Sequence, residues 1–403
     1  MRLAGVIYGA ERPPFEGALV VEAGRITALE AGVRQGADLV DLRPARLVPG
    51  FIDLHIHGGG GWEAAAPTPG DAAAFGRFLA AQGTTAYYAS LSAVPVAMLE
   101  GQIATLARAA AAQAAGLPEG AARLLGIHLE GPFLNPAKKG AMPAEWFRTP
   151  DVPLIERWLD LGEGHIRQVT VAPELHGAPY LIRALAGLGI TVTGGHTDAT
   201  AEQTHAGIDA GVTVATHIYN AMRGLEHRSP GPLGAYLTDP RVTCELICDC
   251  IHVHPLAMKL ALAAKGLDRV TVISDAGPFS GLPAGEYAAM GRQQIRVDET
   301  GHCRLPDGTI AGSSFHQVVG VRNLVERLGL SLEDAVRLAA TNPARVAGVG
   351  DRKGRLSPGF DADVVALDDQ FRVQLTLVEG KVAYRAGEAG SRLNPVRRPV
   401  SVG

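Results

Sequence analysis

Eight short runs rich in β-branched or apolar residues recur through the middle of this 403-residue chain, with helical stretches in the gaps. They are Phe51–His57, Thr84–Ser90, Leu124–Glu130, Gln168–Ala172, Ile190–His196, Val212–His217, Val242–Asp249 and Val270–Asp275. Strands that alternate with helices pair in parallel, because the crossover helix returns the chain to the same end of the sheet. Eight such units within residues 49–349 suit an α/β fold of the (β/α)8 TIM-like barrel type better than the alternative, an open doubly wound sheet. The segments Pro69–Gln82 and Ile103–Ala115 are alanine-rich without a Gly/Ser linker signature, and read as helices.

The two ends follow a different grammar. Residues 1–48 hold the alternating segments Ala18–Glu22 and Ile26–Leu29 around the turn-like Ala23-Gly24-Arg25. Residues 350–403 repeat the pattern, with Ala362–Leu367 and Val373–Val378 preceding Glu379-Gly380 and Lys381–Tyr384. Hairpins at both ends of a barrel predict one small β domain built from both termini. With 19% charged and 47% hydrophobic residues and a net charge of −4, the chain has core-forming capacity and no electrostatic reason to bind nucleic acid. Its first residues hold too short an apolar run for a signal peptide, and no stretch suffices to span a bilayer, so a cytoplasmic protein is expected. Cys244, Cys248, Cys250 and Cys303 make no disulfide framework in a chain this long. Cys248-Asp249-Cys250 lies in an apolar run and reads as buried thiols rather than a soft-metal site.

The polar residues of interest sit at the ends of the proposed strands. In extended chain, residues two apart point to one side, so His55 and His57 can present both imidazoles at a single point. Glu130, His196, His217 and Asp275 close the third, fifth, sixth and eighth runs. Barrel enzymes place their chemistry at that end. Unpartnered polar groups are costly to bury, and convergence on a cation removes the cost. Imidazole with carboxylate suits Zn²⁺ and its neighbours, including Fe, Mn and Co, and an open position on such an ion activates water for hydrolysis. A redox iron centre of two histidines and one carboxylate is the competing use; His55, His57 and Asp275 exceed its needs and fit a second ion and a general base. Gly58–Gly61 leave room for a ligand and lack the Lys-Ser/Thr of a nucleotide-binding loop.

Several segments together carry a resemblance: Pro49–Gly61, Leu129–Phe133 with Lys138-Lys139-Gly140, Gly194–Asp198, Thr216–Met222, Ile251–Val253, Ser274-Asp275 and Gly312–Ser314. In order and over nearly the whole chain, they resemble the N-acetylglucosamine-6-phosphate deacetylases of the amidohydrolase superfamily. The resemblance implies a barrel beside a small β-sandwich and hydrolysis of the acetamide of N-acetylglucosamine 6-phosphate, with another amino-sugar phosphate such as N-acetylgalactosamine 6-phosphate as the alternative. A non-catalytic sugar-phosphate binder is a third reading, which an intact Asp275 opposes.

It also implies roles for single residues. Glu130, His196 and His217 match retained ligands of a divalent metal, Zn by preference, and His55 and His57 match a second ion that some members lack. Asp275 matches the catalytic aspartate. Asn220, Ala221, His252 and Arg228 match the substrate site, with Arg228 reaching the 6-phosphate from a neighbouring subunit of a homodimer. Two departures mark the acyl end. Met142 stands where the family has a histidine, and Phe315-His316-Gln317 replaces a Leu-Thr-Met-like segment. His316 is expected to compensate for the missing histidine, or the preferred sugar or acyl group to differ. His128 is expected to support the ligands from behind.

Overall fold

In the computed structural model, which describes residues 1–9, 12–288 and 294–387, all eight runs are strands of one parallel sheet. They span Phe51–Ile56, Thr84–Ser92, Arg123–Glu130, Ile166–Val171, Thr191–Gly194, Val212–Ala215, Thr243–Ile247 and Val270–Ile273, each paired with the next in chain order. Their residues are almost entirely buried, as in a sheet covered on both faces.

The first and last strands close the barrel along a seam. His55 O accepts from Asp275 N at 2.9 Å, and Ala276 O accepts from His57 N and Gly58 N, both at 2.9 Å. Deeper down, side chains do the joining. Asp53 Oδ1 accepts from Ser274 N at 3.2 Å, while Gln317 Nε2 donates to Ile52 O at 2.8 Å and Val272 O at 2.9 Å. These bonds satisfy backbone groups that would otherwise be buried and unpaired.

The helix Pro69–Ala81 starts at a Thr68 cap that accepts from Asp71 N, and it buries Phe75, Phe78 and Leu79. The next helix begins at Val96 rather than Ile103. Glu100-Gly101-Gln102 interrupts the alanine-rich composition, yet Leu99, Ile103 and Leu106 share one buried face across it.

Both termini build one seven-stranded sheet. Leu39–Pro49 lies in its middle, parallel to Arg2–Ile7 and antiparallel to Val364–Leu367. Phe15–Glu22 and Arg25–Ala31 extend one side, Val373–Val378 and Lys381–Arg385 the other. Ile26 N donates to Phe360 O at 2.9 Å, folding the far edge back over a core of Leu3, Leu19, Ile26, Leu47, Val364 and Leu375. Behind it Lys353, fully buried, contacts Asp363 at 2.7 Å and Asp361 at 3.0 Å. Of the C-terminal part expected in this domain, 388–403 lie outside the described residues. After the eighth barrel strand, Gly285–Ala288, Gln294–Val297 and Cys303–Arg304 form a small antiparallel sheet that strand periodicity did not reveal. Its inner face packs Ile295, Val297 and Cys303 against Phe279 and Leu282.

Candidate active site

The four strand-end histidines each turn Nε2 toward Glu130. His57 Nε2 lies 3.0 Å from Glu130 Oε2; His217, His196 and His55 Nε2 lie 3.0, 3.1 and 3.3 Å from Glu130 Oε1. Asp275 Oδ1 stands 3.4 Å from His57 Nε2 and 3.5 Å from His55 Nε2. Two trios result, His55–His57–Asp275 and Glu130–His196–His217, with ligand atoms in each within 4.8 Å of one another.

The backbone is bent to achieve this. His196, His217 and Asp275 have φ of 47°, 28° and 49°, in the left-handed region that non-glycine residues avoid. Each costs on the order of 1–3 kcal/mol, a strain that persists where surrounding structure enforces it. Ahead of His196, Gly194 and Gly195 are required by close packing: a Cβ on the first would overlap the Tyr236 hydroxyl, and on the second would lie 2.6 Å from Thr216 Cβ. Gly58 and Gly59 differ from expectation. They make no room for a ligand, because a Cβ there would strike Trp62 O and Pro278, or Phe78 and His316.

In three of the four rings the far side sets the tautomer, while His217 Nδ1 has no hydrogen-bond partner among the described residues. His55 Nδ1 meets Glu245 Oε2 at 3.1 Å, His57 Nδ1 meets Ser92 Oγ at 3.1 Å, and His196 Nδ1 meets Lys138 O at 2.8 Å. Donation from Nδ1 leaves each Nε2 lone pair facing the cluster. His128 does not enter it. Its nitrogens bind Ser90 Oγ and Thr170 Oγ1 at 2.9 and 2.8 Å, and its ring packs edge-on against His55 with centroids 4.6 Å apart.

Burial works against charge on His55 and on Glu130, yet Glu130 and Asp275 push the imidazole well up and the surrounding histidines hold the Glu130 carboxyl well down, so a cation entering the cluster would take the place of the proton on His55 Nε2. The donor set fits a divalent cation. His55 and His57 Nε2 are 3.2 Å apart, and His196 and His217 Nε2 3.1 Å. Tetrahedral ligands at zinc-like bond lengths of about 2.0–2.1 Å would lie about 3.3 Å apart, so these atoms already hold the spacing.

A cavity of about 400 Å³ opens over the cluster. His57, Glu130, His196, His217 and Asp275 form its floor, and Met142, Asn220, Ala221 and His252 line its wall. His252 Nδ1 sits 2.7 Å from Asp249 Oδ2; burial opposes charge there, but the carboxylate prevails and raises the imidazole. Arg228 is not in this wall. It is exposed on the turn Glu226–Ser229. Phe315 and His316 also miss the wall. His316 precedes the helix Gln317–Glu326, is buried against Phe78 with ring centroids 4.9 Å apart, and has no hydrogen-bond partner at either nitrogen among the described residues. It cannot replace a pocket histidine at position 142.

Sequence reasoning missed Glu245, Ser92 and the wall residues Glu63 and Trp146. Glu245 did carry a signal, as a carboxylate inside the apolar run Val242–Asp249.

The amidohydrolase family model matches residues 46–383, from the central strand of the terminal sheet through the barrel and back. The chain belongs to the amidohydrolase family. This amidohydrolase is 35% identical to N-acetylglucosamine-6-phosphate deacetylase of Vibrio furnissii over 96% of its own length and 95% of the relative's. It is 36% identical to N-acetylgalactosamine-6-phosphate deacetylase of Escherichia coli O157:H7, over 84% and 87% of the two chains. Among solved structures, a mutant N-acetyl-D-glucosamine-6-phosphate deacetylase from Mycobacterium smegmatis, in complex with N-acetyl-D-glucosamine-6-phosphate, superimposes with a TM-score of 0.87 at 38% identity. That match covers 95% of the amidohydrolase chain and 99% of the other.

Proposed function

We propose that this amidohydrolase hydrolyses the acetamide of N-acetylglucosamine 6-phosphate, releasing acetate and glucosamine 6-phosphate. The observation that carries the reading is the double trio at the cavity floor, set in a chain with deacetylase relatives over nearly its full length. Glu130, His196 and His217 would hold one divalent ion, and His55 and His57 a second with Glu130 between them. Zinc is the proposed metal, and iron, manganese and cobalt suit the same donors. Such an ion, when bound, polarises the acyl carbonyl and acidifies water.

The chain's own residues supply the proton transfers and the binding. Asp275 faces the cavity beside both strand-one histidines, placed to take a proton from the attacking water and return it to the departing amine. His252, whose charged form Asp249 favours, suits the phosphate, with Asn220 and Ala221 also lining the cavity. Exposed Arg228 suits a homodimer in which it completes the partner's phosphate site through its rigid fork. A phosphorylated sugar substrate favours a cytoplasmic reaction. Among the described residues, no helix is long and apolar enough to cross a membrane.

The second reading, N-acetylgalactosamine 6-phosphate as substrate, draws on the relative of that activity. Acetate release by the metal-loaded protein tests both. Release from N-acetylglucosamine 6-phosphate, absent with the unphosphorylated sugar and abolished by chelation, is expected; faster release from the galactosamine isomer would favour the second reading. No release from any N-acyl amino-sugar phosphate would overturn the proposal.

A further inference from the structure

One wall of the cavity does not match a polyhydroxylated ligand. Ala93, Val94, Met142 and Trp146 line it, and Ala93 and Met142 pack with Leu134, Trp146 and Phe147 in one apolar cluster. This wall is anchored to the reacting centre at two points. Ala93 follows Ser92, whose hydroxyl holds His57 at 3.1 Å, and the segment leading to Met142 holds His196 through Lys138 O at 2.8 Å.

A sugar hydroxyl laid against Ala93, Val94 and Met142 would lose water and gain no partner, since a thioether is a weak acceptor; the indole N–H of Trp146 is the one donor this wall carries. The cavity also has a second apolar stretch at Phe279, Ile295 and Ile310, and polar side chains face the cavity at Glu63, Gln102, Asn220, His252 and Thr309. These suit the ring hydroxyls and the phosphate. The part of an N-acyl amino-sugar phosphate without hydrogen-bonding demand is the end of its acyl chain.

We propose that Ala93, Val94, Met142 and Trp146 form the acyl subsite, and that it selects purely aliphatic acyl groups and accepts chains longer than acetyl. The inference rests on the deacylase reading above. The reaction is the same for each acyl group: water's oxygen joins the acyl carbon, the C–N bond breaks, and a carboxylic acid and the sugar amine are released. Met142 can yield to a longer chain because its unbranched side chain adapts its rotamers.

The discriminating substrates are N-propionyl- and N-glycolylglucosamine 6-phosphate, equal in size and differing by a methyl against a hydroxyl. With the metal-loaded full-length protein, kcat/KM for the propionyl sugar should lie within threefold of that for the acetyl sugar and at least tenfold above the glycolyl sugar. Met142→Gln, which keeps the shape and adds a donor, should raise the glycolyl-to-propionyl ratio at least fivefold. Trp146→Phe, which opens the wall without making it polar, should raise the N-butyryl-to-propionyl ratio at least threefold. Acetyl turnover with glycolyl equal to or above propionyl, or ratios unmoved in both variants, would overturn the subsite alone. No turnover of any of these sugars would overturn the deacylase reading with it.

Discussion

His55 Nδ1 and Glu245 Oε2 lie 3.1 Å apart, both sealed from solvent beneath the double trio. Glu245 is itself steadied by Gln168 Nε2, which donates to its other oxygen at 2.9 Å. The pair fixes the tautomer and ring plane of a histidine proposed as a metal ligand. Glu245→Gln should leave the fold intact and weaken metal binding by roughly 10- to 100-fold, the usual effect of losing an outer carboxylate. Competition against a chelator of known affinity measures it, and unchanged affinity would remove Glu245 from the site.

The proposed role of Asp275 is to move protons rather than only to hold an ion. Asp275→Asn should keep a metal at Glu130, His196 and His217 while kcat falls by roughly 10²- to 10⁴-fold, the range for a lost general base. Metal content with single-turnover rates separates the two effects. An active, metal-replete variant would exclude the role.

Gln317 bridges the barrel seam through Ile52 O and Val272 O. Gln317→Leu keeps the volume and leaves two buried carbonyls without their donors, at about 1–3 kcal/mol each. Urea unfolding should move to markedly lower midpoint.

His316 gives the protein an acid-sensitive element away from the metal cluster. Burial lowers its pKa to about 4 from an ordinary value near 6.5. Between those two values the unfolded chain binds a proton that the folded one does not, so stability falls as pH drops through this window. The loss by pH 5 is about 2 kcal/mol relative to pH 7. His316→Phe should flatten the difference in urea midpoint between pH 7 and pH 5, compared with the unaltered protein.

The six strand-end residues were legible because each is a polar residue at or near the end of an apolar run, where burial demands a partner. The barrel was legible for the same reason, since strand and helix periods alternate eight times. What escaped notice depends on direction in space. Position 316 lies close to Ser313 in sequence, but the turn into the following helix aims its ring at Phe78, behind the strand-one loop. Trp146 ends a single 3₁₀ turn, Ala144–Trp146, too short to show a period, and the sheet of residues 285–304 is built from strands too short to register. Arg228 fits its expected role only through a second subunit, which no pattern within one chain displays.

The seam also orders events during synthesis. His55 and His57 leave the ribosome early, whereas Asp275, Ala276 and Gln317, which cover the open side of their strand, come more than two hundred residues later. Until then the Phe51–Ile56 strand presents an unpaired apolar edge, the kind of surface that recruits other chains. The His55–His57–Asp275 trio therefore cannot assemble before the barrel is nearly complete, while Glu130, His196 and His217 lie on strands joined by an unbroken ladder and can gather first. A nascent chain can thus complete the Glu130 trio before the His55 trio, and a chaperone has most to shield in the interval between them.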